Sequence, residues 1–277
     1  MIHLFETTVH LDRSSHAFAR YFKTNQIDYT LHRRTGVAQQ MDDTEWKTFD
    51  EIVPDDSYFF QGVLRGTGKL IRACQEKNAC FFYGDNPYIR TKNFIRHWSW
   101  RITKNNFDIN HIDTNVKLDL IRRNELFEIN KSVKKWKKDG SHILVCPPSK
   151  YQQNYHLGDK SWYAQVIQDL KKYTRRPIIV RDKKGPQGDQ STLQADLRDA
   201  HAVVTFNSAI SVEAAMAGVP SFCDSKSFAA SLGNTDLKNI DTPIYSTERE
   251  NWFATLLQNQ FTAPELETGY AWEIINK

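Results

Sequence analysis

The chain has 277 residues, of which 40% are hydrophobic and 25% charged, with a net charge of +4; this suits a globular protein with one large or two modest domains. It contains no run of roughly eighteen apolar residues, and its start, Met1-Ile2-His3-Leu4-Phe5-Glu6, lacks the basic-then-apolar layout of a signal peptide, so a cytoplasmic location without a membrane anchor is expected. Cys74, Cys80, Cys146 and Cys223 form no C-x-x-C pair and sit in or beside apolar runs, which points to reduced core thiols rather than a zinc site.

Taken in order, the first half alternates strand and helix. Residues 2–6 read as a strand, and Ser14 and Ser15 cap a helix reaching Tyr21. Strands are predicted at 27–31, 57–60 and 80–83, with a glycine turn and a helix over 67–77 between the last two. The turn, Gly62-Val63-Leu64-Arg65-Gly66-Thr67-Gly68-Lys69-Leu70, fails as a Walker A loop because Val63 stands where a glycine is needed and Leu70 follows the lysine. It fails as a dinucleotide fingerprint because Ile71 replaces the third glycine. What remains is a glycine-rich strand-to-helix turn whose N–H groups at Gly66, with Arg65, suit a phosphate or an acceptor. The fourth strand closes at Gly84-Asp85-Asn86-Pro87, which reads either as a turn or as a strand end presenting a carboxylate.

From Arg90 to Lys138 there are thirteen Lys or Arg against five Asp or Glu, so the remainder of the chain is net negative. Tyr88, Phe94, Trp98, Trp100, Phe107 and Trp136 interleave with these cations. Such a band, including Arg96 and Arg101, suits a polyanion: nucleic acid, an acidic glycan or a lipid surface. The alternative is a solvated face, with 131–138 a lysine-rich helix leading into the next strand.

The pattern restarts near Ser141. A strand over 142–146 ends in Pro147-Pro148-Ser149, a helix over 161–173 shows clear spacing (Trp162, Val166, Ile167, Leu170), and a strand over 177–181 runs into a charged loop. A short helix over 193–198 precedes the most informative stretch, 200–223. There a β-rich run (Val203, Val204, Thr205, Phe206) stops at Asn207-Ser208, and an alanine-rich helix carrying Glu213 ends at Gly218 before Pro220. A helix start offers unpaired N–H groups and a positive dipole end to a phosphate. Glu213, one turn on and among alanines, is placed to accept from two ribose hydroxyls. An ordinary N-cap with a Gly-then-Pro stop is the alternative. Turns near 233–234 and 241–243, a helix over 251–259 and an aromatic end (Tyr270, Trp272) complete the chain.

The 200–223 segment resembles the nucleotide-sugar site of GT-B glycosyltransferases, where a small-residue turn precedes a helix bearing Glu and ending Gly-x-Pro. Capsule-polysaccharide transferases, sialyltransferases and nucleotide-sugar 2-epimerases show variants of it. The resemblance covers 141–275 well in order of elements and 1–90 loosely. It implies an α/β chain of two Rossmann-like domains facing a central cleft: 1–138 on the acceptor side and 139–277 holding the donor. It also implies no cofactor beyond a nucleotide sugar, with a UDP-sugar expected, and no metal, in keeping with the absence of any D-x-D triplet.

Sugar transfer needs a base for the acceptor, neutralisation of the leaving phosphate and a positioned donor. Asp85 and His16, both following N-terminal strands, compete as the base. Arg181 and Lys183, with Asn207, Ser208, Glu213 and Ser149, form the candidate donor site; Arg65, Gly66, Tyr88, Arg96 and Arg101 are candidate acceptor or phosphate contacts. The basic, aromatic band favours DNA as acceptor, a hydroxymethylated pyrimidine reached by base flipping as in the phage DNA glycosyltransferases. A surface polysaccharide, a nucleotide-sugar epimerase, or a non-catalytic nucleic-acid-binding protein are the alternatives. Oligomeric state is not legible.

Overall fold

In the computed structural model, residues 1–6, 13–33, 49, 51–62, 66–89, 99–106, 133–158, 160–181 and 192–276 are described. In chain order the elements are β1 (Ile2–Glu6), α1 (Arg13–Thr24), β2 (Tyr29–Arg33), β3 (Ser57–Gln61), α2 (Gly68–Lys77), β4 (Cys80–Asp85) and β5 (Ser99–Lys104). These are followed by β6 (His142–Cys146), α3 (Lys150–Leu157), α4 (Trp162–Tyr173), β7 (Ile178–Val180), α5 (Leu193–Asp196), β8 (Ala200–Thr205), α6 (Ile210–Met216) and β9 (Ser221–Phe222). Two short 3-10 turns precede α7 (Arg249–Gln258), β10 (Gln260–Thr262), α8 (Ala263–Glu267) and α9 (Tyr270–Ile275).

The chain divides into two α/β units: residues 1–111 with 256–277, and residues 112–255. Each holds a parallel-rich sheet, as in a GT-B two-domain fold. The expected break at 138/139 assigned the whole C-terminal part to the second domain, whereas 256–277 group with the first unit. The link is β10, whose Phe261 lies opposite Trp100 in an antiparallel pair with β5.

The first unit's sheet runs β10-β5-β4-β3-β1-β2, parallel from β2 through β4. Strand alternation sends Leu4 and Phe59 to the face covered by Ala17, Phe18 and Phe22 of α1. His3 and Phe5 take the other face, where they stack with His32. Apolar residues of α8 and α9, Leu266, Ala271 and Ile275, complete the core on the α1 side, so the returning segment seals it.

The second unit's sheet is wholly parallel, in the order β7-β6-β8-β9. Every residue of β6 is buried, as expected for a strand covered on both faces. Ile143 and Val145 pack with Val166 and Leu170 of α4. Leu144 and Cys146 pack on the opposite face with Ala214 and Ala217 of the α6 segment and with Leu197. The alanines of α6 let that helix lie close to the sheet, which is why a run so poor in bulky side chains is nevertheless buried.

Residues 133–140 are not helical, unlike the lysine-rich helix considered from sequence. They run as an irregular segment against the end of α6, where Lys134 N donates to Met216 O at 2.9 Å and Lys137 N to Gly218 O at 2.8 Å. Gly218 sits at φ +82°, and a Cβ there would run into the Lys135 carbonyl oxygen, so both backbone conformation and close approach demand glycine. None of the four cysteines is in a disulfide, and burial pushes the Cys74 and Cys146 thiols up to about 12. Among the described residues no helix is long and apolar enough to cross a membrane.

Candidate active site

In open α/β sheets, ligand sites form beyond the carboxyl ends of strands where the strand order reverses. The second unit has that point between β6 and β8, since the chain goes from β6 to β7 on one side and then to β8 on the other. Thr205 Oγ1 donates to Cys146 O at 3.0 Å and ties the two strand ends together. The loops leaving this point carry Ser149 and Asn207-Ser208, so the structure brings together candidates 58 positions apart in sequence.

Ser149 caps α3: its Oγ accepts from Gln152 N at 3.3 Å. This helix was not expected, because Lys-Tyr-Gln-Gln-Asn-Tyr-His-Leu has no apolar periodicity and buries no residue. It sets the His156 ring 5.6 Å from that of Phe206, the residue just before Asn207. Ser208 anchors α6, its Oγ accepting from Ile210 N at 3.4 Å and its carbonyl from Ser211 N at 3.0 Å. Among the described residues Asn207 makes no side-chain hydrogen bond. Glu213 stands on the first turn of α6, half-buried beside fully buried Val212 and Ala214. Arg181 follows β7 and is paired to Asp196 of α5. Its charge is therefore already partly balanced. Lys183 lies outside the described residues.

The same topology recurs in the first unit. The order β2-β1-β3-β4 puts its reversal between β1 and β3, and the edge there collects polar side chains. Glu6 ends β1, and its Oε1 accepts from His16 Nε2 of α1 at 2.7 Å. Ser14 Oγ, fully buried, donates to Gln61 Oε1 at the end of β3. The glycine turn follows, with positive φ at Gly62 and Gly66 and with Thr67 Oγ1 donating to Gly62 O at 2.8 Å.

Asp85 ends β4 on the same edge. Its Oδ2 accepts from the Tyr83 hydroxyl at 2.7 Å and from Arg101 Nη2 at 3.2 Å, while Oδ1 accepts from Asn86 N at 2.7 Å. Arg101 also donates to Asn86 O at 3.1 Å and lies over the Tyr88 ring. Of the candidate acceptor contacts, Arg101 bonds the loop that carries Asp85, and Tyr88 is 1% exposed. Trp100, also counted in the aromatic band, belongs to the sheet core. Arg65 and Arg96 lie outside the described residues.

Two of the lysines in residues 133–138 are likewise engaged, while Lys134 and Lys135 are exposed. Lys137 Nζ donates to the carbonyls of Leu197 and Arg198 at 3.0 and 3.1 Å, the end of the α5 turn. Lys138 lies over the Tyr245 ring. Trp136 donates to Ser246 O and is covered by Arg249, whose guanidinium is 3.7 Å from its ring centroid. Cations at helix C-termini satisfy orphan carbonyls and complement the dipole. Among the described residues, no group of three or more His, Cys, Asp or Glu stands together as a metal site would require.

No protein-family model matches the chain. No curated protein matches it by sequence. Among solved structures it is similar to the KpsC β-Kdo 2,7 transferase of Thermosulfurimonas dismutans, with a TM-score of 0.55 at 14% identity over 99% of this chain and 98% of that one. The likeness is one of fold. A match to the β-Kdo 2,4 transferase of KpsC from the same organism has a TM-score of 0.46 at 11% identity, covering 91% of this chain and 89% of that one.

Glu6 and Gln61 are the residues at these edges that the sequence reading passed over. Glu6 carried the same signal as Asp85, a lone acid ending an apolar strand. Gln61 carried none, since an amide beside a glycine turn reads as ordinary loop.

Proposed function

We propose that the chain is a glycosyltransferase that moves a sugar from a nucleotide-sugar donor to a hydroxyl of a saccharide in surface-polysaccharide synthesis. The observation that carries this reading is the end-to-end likeness of both units to a β-Kdo transferase. A second observation favours a saccharide over DNA. The described edge of the first unit's sheet carries Glu6, His16 and Asp85 over the buried Ser14–Gln61 pair, and its guanidinium, Arg101, is bonded to Asp85. Carboxylates and an imidazole suit the hydroxyl groups of a sugar, whereas phosphates need unspent cations. Much of the basic band that favoured hydroxymethylated DNA lies outside the described residues, and among its described members Arg101, Lys137 and Lys138 are engaged within the fold.

In this reading the donor phosphates lie at Asn207-Ser208, its ribose hydroxyls bond Glu213, and Arg181 and Lys183 offset the charge that grows on the departing phosphate. Ser149 and α3 border the nucleoside. Asp85 or His16 takes the acceptor proton, while Gly66, with Arg65 and Arg96, lines the acceptor side. Nucleotide release is measured with UDP-sugars and nucleotide-activated Kdo, each with an oligosaccharide acceptor, with hydroxymethylated duplex DNA and with neither. Release that depends on the oligosaccharide supports the proposal. Release that depends only on DNA, or an epimerised donor without any acceptor, refutes it.

A further inference from the structure

Glu6 and His16 form a pair whose chemistry goes beyond the choice of a base, and the inference drawn from it rests on the transferase reading above. Glu6 is the last residue of β1 and His16 the fourth of α1, and the two side chains meet at that strand end. The helix start is fixed from beneath: Ser14 and Ser15 are fully buried, the first bonded to Gln61 and the second donating to Phe5 O at 3.4 Å. Glu6 has a side chain only 15% exposed, while that of His16 is 42% exposed. A carboxylate only accepts, so the 2.7 Å contact requires the proton on Nε2. Nδ1 makes no hydrogen bond with any described residue. In a neutral ring it holds the lone pair.

We infer that Glu6 is a positioning residue that holds His16 as its Nε2–H tautomer and presents Nδ1 as the base for the acceptor hydroxyl. The hydroxyl proton moves to Nδ1 as its oxygen bonds the donor's anomeric carbon. The bond from that carbon to the nucleotide's phosphate oxygen breaks, and its electron pair leaves with the phosphate. The resulting imidazolium donates to a carboxylate at Nε2, which balances its charge until the proton passes to water. A surface ion pair with no such role would leave turnover unchanged when broken.

Two readouts on the full chain test this. Long-range 15N correlation spectra of the imidazoles identify the protonated nitrogen: His16 is expected as Nε2–H in the wild type and as a tautomer mixture in Glu6→Ala. In the transfer assay, His16→Ala is expected to lower kcat by about 100-fold or more. Glu6→Ala should lower it at least tenfold, with donor KM within twofold, and Glu6→Gln, whose amide oxygen still accepts from Nε2–H, should recover part of the loss. A wild-type His16 protonated on Nδ1, or a Glu6→Ala chain with unchanged kcat, overturns the inference. A wild-type chain that transfers no sugar to any acceptor overturns the transferase reading and with it the role of Nδ1, while the spectra still decide whether Glu6 sets the proton.

Discussion

Replacing Arg249 by Met tests how the candidate donor helix is held. Arg249 is 8% exposed. It donates to Ala215 O at 3.0 Å and Lys134 O at 2.5 Å while covering Trp136. Ala215 O is one of the last carbonyls of α6 and already accepts from Gly218 N at 3.2 Å, so the guanidinium adds a second donor there and meets the negative end of that short helix. Charge-assisted hydrogen bonds contribute about 1.5–3 kcal/mol each, and Met fills similar volume without replacing either. Burial of the guanidinium, which holds its pKa below the ordinary value, offsets part of that gain. A net loss of about 3 kcal/mol follows, or about 6–12 °C in the melting temperature of a unit this size. Urea titration with heating scans measures it, with Arg249→Lys as a milder variant that keeps the charge but not the fork. Stability of Arg249→Met within about 0.5 kcal/mol of wild type, the range of an ordinary surface change, would refute the reasoning.

Gly218→Ala should cost about 2–4 kcal/mol, from the left-handed backbone and the collision with Lys135 O, read as a lower urea midpoint. His201, bonded through Nε2 to Ile240 O at 3.0 Å, governs part of the acid response. Burial, with Arg176 nearby, holds its imidazole below 6.5 against the opposing pull of the Ile240 carbonyl and Asp241. The unfolded chain therefore takes the proton first, so this contribution is complete above pH 6.5 and is lost as pH falls from there through the folded value. Urea midpoints from pH 7.5 to 5 should fall less steeply in His201→Gln than in wild type. Glu213→Ala should weaken donor binding by about 10–100-fold, the worth of hydrogen bonds to a charged acceptor, with little change in melting temperature; calorimetric titration with nucleoside diphosphates checks it.

The elements that local pattern reveals were legible. The continuous apolar run of β6 marks a strand at 142–146 because nothing else of that length can be buried on both faces, and the spacing of Trp162, Val166 and Leu170 marks α4. What pattern cannot carry is pairing between distant segments. β10 is a three-residue strand whose partner lies near residue 100, so its return to the first unit, and the α8 and α9 seal that follows, leave no local trace. β5 does alternate, with Trp100 and Ile102 inward, but Arg101 and Lys104 weighted it toward a binding surface. For the site, strand ends were readable and commitments were not. Asp85 and Glu6 each end an apolar strand, yet that Arg101 is pledged to Asp85 depends on an antiparallel register invisible in the chain.

Intact mass measurement of an oligosaccharide acceptor, after incubation with the full chain and a panel of nucleotide sugars, tests the central claim most directly. A gain of one glycosyl residue is expected in the presence of a single donor, slowed about 100-fold or more in His16→Ala. An acceptor of unchanged mass with every donor, alongside a hydroxymethylated duplex that gains a sugar, would contradict it.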